Sequence, residues 1–153
     1  MKKNSIPSEL VETGSCFEQK FQPVIQTGGW RVAILRQCEK VMPGDIQRVE
    51  RHNETDEVFI LTMGMADLII LEETRYGQVP HVIPMQQNVA YNVKKSVWHH
   101  VNLSLDAHIF LFEKADTSVE NSDYLMLDPE IQEKIREKVS DLSNIKELPG
   151  NTF

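Results

Sequence analysis

Glu50-Arg51-His52-Asn53-Glu54-Thr55-Asp56-Glu57-Val58-Phe59-Ile60-Leu61-Thr62, followed at once by Met63-Gly64, is the stretch that decides the fold. Residues two apart on a strand share a face, so Glu50 and His52 project the same way at the end of one alternating run. Residues 53–56 make a polar loop. Glu57 then opens a dense β-favouring run, broken at Gly64. An imidazole and two carboxylates thus stand at facing strand ends, the way a β-barrel offers ligands to a metal.

Working outward, the chain continues as strands. Residues 31–38 are apolar on both sides, as in a strand covered on both faces. Met42-Pro43-Gly44-Asp45 is a turn by composition. After Gly64, strands are expected at 66–71, 81–83, 89–93, 97–103 and 108–113, with 72–80 as a longer connection. Many short strands with no helix between them predict an all-β sandwich or barrel. Residues 1–29 are an N-terminal arm ended by Gly28-Gly29, with a short strand or helical turn near 17–24. Residues 30–115 are the barrel and 116–153 a C-terminal extension. In that extension Asp128-Pro129 starts a helix over about 129–142, with Ile131, Ile135, Val139 and Leu142 on one face.

Composition narrows the class. A chain of 153 residues has room for one core, and 41% hydrophobic with 25% charged residues is that of a globular domain. The net charge of -7 and the lack of any basic stripe argue against nucleic acid as a partner. No run reaches the length of a membrane helix, and Met1-Lys2-Lys3 leads into polar residues rather than a signal peptide. Cys16 and Cys38 are read as reduced thiols, and a cytoplasmic location is expected. The sequence holds no GxSxG, Walker loop, GxGxxG or HExxH.

A second cluster, Val97-Trp98-His99-His100-Val101-Asn102, adds a further imidazole. The two segments resemble the two motifs of the cupin family. His52, four residues, Glu57, six residues and Gly64 match the second histidine, glutamate and glycine of the first motif. Its first histidine falls on Glu50, and Gly44 stands two residues earlier than the motif's glycine. In the second motif Lys94 takes the usual proline, Ser96 the usual glycine, and His99 the metal histidine. Residues 51–59, 92–95 and 116–124 also resemble small single-domain bacterial cupins. The resemblance implies a double-stranded β-helix of the jelly-roll type with an N-terminal arm and a C-terminal amphipathic helix.

The same resemblance implies a divalent transition metal (Zn, Fe, Mn, Ni or Co) on His52, Glu57 and His99, with Glu50 as fourth ligand. Mixed N and O donors suit any of these ions. Without a metal, Glu50 and Glu57 would still hydrogen-bond a sugar hydroxyl or a cationic group. Tyr91 and Lys94 are expected to be able to reach a ligand, although a core tyrosine and a solvated lysine are the plainer readings. His100 points away from His99 by strand parity, Trp98 reads as packing, and His81 and His108 as ordinary strand residues. The expected partner is a small polar molecule such as a sugar, sugar acid or oxo-acid. The metal-free alternative is a binding or sensing module. The run 58–61 is apolar on both faces, so a homodimer that covers the outer one is expected. Isomerase, epimerase, lyase and oxygenase chemistry all remain open, because fold does not choose reaction.

Overall fold

In the computed structural model, which describes residues 7–142, the two runs of the opening stretch form β3 (Arg48–His52) and β4 (Glu57–Met63). Ahead of them lie β1 (Phe21–Thr27) and β2 (Trp30–Leu35). Behind them come β5 (Ala66–Thr74), β6 (Gly77–Pro84), β7 (Ala90–Val93), β8 (Trp98–Leu103), β9 (His108–Lys114) and β10 (Ser122–Met126). The chain then enters helix α1 (Pro129–Arg136). The strands form two five-stranded sheets, ordered β1-β2-β9-β4-β7 and β10-β3-β8-β5-β6, with antiparallel pairing throughout. The expected all-β jelly roll is the observed fold.

The period-two pattern has a direct spatial meaning. Ala33, Leu35, Phe59, Leu61, Leu68, Val101, Leu103, Ile109 and Leu111 meet between the sheets as the barrel core. Residues of the opposite parity in the second sheet, Val49, Ile69, Leu71 and Trp98, form a second core with Leu127, Ile131 and Ile135 under α1. The helix therefore covers the outside of this sheet. Gly64 closes the β4–β5 hairpin at φ +73°, and a Cβ there would lie 2.6 Å from Cα and N of Ala107. Backbone proximity and a left-handed φ both demand glycine.

Three local features differ from the sequence reading. Residues 72–80 are not a long connection: β5 and β6 pair as far as Thr74 and Gly77 in one hairpin. Strand β10 lies in the expected C-terminal extension and pairs with β3, while β1 lies in the expected arm and pairs with β2. The helix ends at Arg136, short of 142, because the chain turns back to the sheet. There Ser140 donates its N–H (2.7 Å) and its hydroxyl (2.9 Å) to the buried Asp67 carboxylate. Residues 1–6 of the arm and 143–153 of the extension lie outside the described residues. No helix among the described residues is long and apolar enough to cross a membrane.

Candidate metal centre

Three neighbouring strands of each sheet bring polar side chains to one end of the apolar interior. Glu50 and His52 alternate with the outward Val49, so both face inward, and register places Glu50 opposite His99 and His52 opposite Ser122. From the other sheet, Glu57 precedes the inward Phe59, while Arg31 and Glu113 are register partners in line with Ala33 and Leu111. Glu57, His99 and Glu113 are buried, with His52 almost as enclosed.

The centre is tightly connected. Oε2 of Glu57 lies 3.2 Å from Nε2 of His52 and 3.0 Å from Nε2 of His99. Nδ1 of His52 meets the Ser122 hydroxyl at 2.8 Å, and Nδ1 of His99 meets the Val97 carbonyl at 2.9 Å. The His52 and His99 rings pack edge to face at 5.4 Å. Two groups, Glu50 with His52 and His99, and His52 with Glu57 and Glu113, each bring their ligand atoms within 4.8 Å of one another. Beside them opens a cavity of about 230 Å³ lined by Phe21, Arg31, Glu50, His52, Glu113 and Tyr124 among others.

Charge follows from these contacts. Burial works to lower the His52 and His99 pKa values, but the Glu57 hydrogen bonds and negative charge outweigh it, and both are raised. Burial works to raise Glu57, yet the two imidazoles bring its carboxyl down to about 2. Glu113 goes the other way: burial and then the Glu57 charge raise it, against the pull of Arg31.

Of the residues singled out in the sequence, Glu50, His52, Glu57 and His99 come together. Tyr91 and Lys94 do not join them. The Tyr91 phenol oxygen accepts from the Gln86 backbone N–H at 2.9 Å, and Lys94 Nζ pairs with Asp56 at 3.1 Å. Asp56 also takes the Lys95 N–H at 2.8 Å, so this carboxylate braces the turn before β8. His100 is buried on the opposite face, where burial takes its pKa to about 4. Trp98 packs beneath Arg51, whose guanidinium lies 4.3 Å from the ring centroid. His81 pairs with Glu72 at the surface, and His108 meets the Cys16 carbonyl.

Glu113, Arg31 and Ser122 were not among the sequence candidates. Each carried the same signal as His52: a polar residue at the inward parity of a strand.

No protein-family model and no curated protein matches the sequence. Solved structures do. A cupin-2 domain protein from Shewanella frigidimarina aligns at 20% identity over 64% of this chain and 84% of its own, with TM-score 0.44. The capsular polysaccharide assembling protein CapF from Staphylococcus aureus aligns at 12% identity over 76% of this chain, with TM-score 0.52. That match takes in only 34% of CapF. Two facing five-stranded antiparallel sheets around one shared core, together with the likeness to CapF, show that the chain has the cupin fold, a double-stranded β-helix of the jelly-roll type.

Proposed function

We propose that the protein holds a divalent transition metal on His52, Glu57 and His99, with Glu50 as fourth ligand, and takes a small polar molecule into the adjoining cavity. One observation carries this reading. The Val97 carbonyl only accepts, so a neutral His99 that donates Nδ1–H to it turns an Nε2 lone pair onto Glu57 Oε2 at 3.0 Å. Two facing lone pairs need a cation between them. The spacings of 3.0 and 3.2 Å around Glu57 Oε2 also suit neighbouring ligands, since donors held at about 2.1 Å from one ion sit about 3 Å apart. His52, which meets a hydroxyl able to donate or accept, adopts either tautomer freely.

A metal bound here would act as a Lewis acid on a ligand oxygen. The residues of the chain supply the rest. Ser122 and Val97 orient the two imidazoles, as partners of metal-binding histidines commonly do. Glu50 borders the cavity and offers an acceptor to a hydroxyl. Carboxylates left against an apolar guest would be desolvated without a partner, so sugars, sugar acids and small oxo-acids fit better than hydrocarbons. Lys94 is engaged by Asp56, so an anionic group on the ligand would meet the metal or the two cationic side chains that line the cavity, Arg31 and Lys40.

The raised imidazole pKa values favour one alternative, a metal-free module in which protons fill the cluster and the cavity binds without turnover. Melting chelator-treated protein with and without Mn²⁺, Fe²⁺, Co²⁺, Ni²⁺ or Zn²⁺ separates the two. A metal-dependent rise that disappears in the His52→Ala, His99→Ala double variant supports the metal centre. A ligand-induced rise with no metal effect supports the module.

A homodimer belongs to the same proposal. Val58, Ile60, Phe110 and Phe112 are neighbours by register on the outer face of the first sheet, each half-buried. A second copy is the simplest cover for such a strip.

A further inference from the structure

One buried group at the centre has no explanation in packing. Two Arg31 donors, Nε at 3.0 Å and Nη2 at 2.7 Å, go to the same oxygen of Glu113, Oε1. The other oxygen, Oε2, is fully buried with no hydrogen-bond partner among the described residues, and Glu113 as a whole is 6% exposed. A leucine would continue Ile109 and Leu111 at no such cost, whereas a buried acceptor stripped of water and left unpaired destabilises the fold. Oε2 stands 3.9 Å from His52 Nε2, too far to accept from it but inside the span over which ligand atoms share an ion.

Resting on the metal reading above, we infer that Glu113 is a further donor to that metal through Oε2. Arg31 is its positioning residue: the guanidinium fork occupies Oε1 and fixes the carboxylate plane so that Oε2 faces the imidazole of His52. Arg31 is itself anchored, with Nη1 reaching the Ala115 carbonyl at 3.4 Å and the guanidinium 5.6 Å from the Phe21 ring centroid. With Glu50, Glu57 and Glu113 beside two imidazoles, the donor set is weighted towards oxygen, which suits Mn²⁺ better than a softer set would. Glu113 thereby sets metal preference as well as affinity.

The test titrates chelator-stripped wild type, Glu113→Gln and Arg31→Lys with Co²⁺, Mn²⁺ and Zn²⁺, following affinity and the visible Co²⁺ spectrum. Glutamine keeps an acceptor for Arg31 while removing the charge. The expected result is a loss of Co²⁺ affinity of about ten-fold or more in Glu113→Gln, a larger loss for Mn²⁺ than for Zn²⁺, and stronger Co²⁺ bands from a lower coordination number. Arg31→Lys, which retains Glu113 but not the fork, should weaken binding less and alter the spectrum. Wild-type affinity and spectrum in Glu113→Gln would overturn the inference while leaving the metal reading intact. Failure of wild type to bind any of the three ions would overturn both. Should Glu113→Gln not fold, an unchanged Arg31→Lys titration overturns the inference by itself.

Discussion

The backbone N–H of Ser96 donates to the carbonyl of His52 at 2.8 Å, which clips the turn before β8 to the strand that carries the buried His52 imidazole. Ser96 adopts φ +62° to do so. A serine pays a left-handed penalty there that glycine does not, on the order of 1 kcal/mol. Ser96→Gly should therefore stabilise the protein by up to about 0.5 kcal/mol, after the entropy that glycine adds to the unfolded chain. Ser96→Val should destabilise it. Denaturant midpoints at unchanged slope report both, and a lower midpoint for Ser96→Gly would show that the turn is unstrained.

Acid and base should each weaken the metal-free protein. The raised His52 and His99 contribute stability that is complete below their usual 6.5 and is lost as pH climbs through their folded values. Glu57, lowered from 4.5 to about 2, contributes stability that is present above 4.5 and is lost as pH falls towards 2. Buried His100, lowered from 6.5 to about 4, works the other way and loses stability as pH falls below 6.5, so chelator-treated protein is expected to be most stable towards the upper end of the window between 4.5 and 6.5. Metal binding requires deprotonated imidazoles, so saturating metal should move that maximum to higher pH. Unfolding midpoints measured across pH with and without metal test the shift; coincident profiles would speak against it.

Asp67 fastens the segment that follows α1. Its carboxylate accepts from Asn102 Nδ2 at 2.9 Å as well as twice from Ser140, and it is 1% exposed. Asp67→Ala removes both acceptors of Ser140 and one of the two acceptors of the Asn102 amide, which keeps the Ser140 carbonyl at 3.2 Å, at about 1–3 kcal/mol. Ile135→Ala, in the core under the helix, should cost about 2–5 kcal/mol. Hydrogen exchange should show the helix opening first in both variants. Uniform loss of protection across the sheets would mean that the helix is no separate unit.

Association should depend on the outer strip of the first sheet. Light scattering is expected to give a mass above the 17.6 kDa of one chain, from an interface burying more than about 1,000 Å². Phe110→Glu, which puts a charge on the strip, should shift the equilibrium towards the monomer. A mass of 17.6 kDa at every concentration would exclude the dimer.

The strands and the inward set were legible because a sheet converts parity into facing. His52 and Glu57 at the edges of alternating runs announced the site, and Gly64 marked a turn that its backbone neighbours confirm. Glu113 was equally legible in principle, since a carboxylate breaks the apolar alternation of Ile109 and Leu111. Strand β10 was not, because Ser122–Met126 lacks an apolar period and owes its form to distant pairing with β3. Parity also places Tyr91 on the inner face opposite Phe59, yet it says nothing of reach along the barrel, and the phenol ends at Gln86.

Elemental analysis of protein purified without added metal tests the central claim most directly. About one divalent transition metal ion per chain in the wild type, and none in a folded His52→Ala, His99→Ala double variant, is the predicted result. Wild-type protein that carries no such metal and gains none on dialysis against Mn²⁺, Fe²⁺ or Zn²⁺ would contradict it.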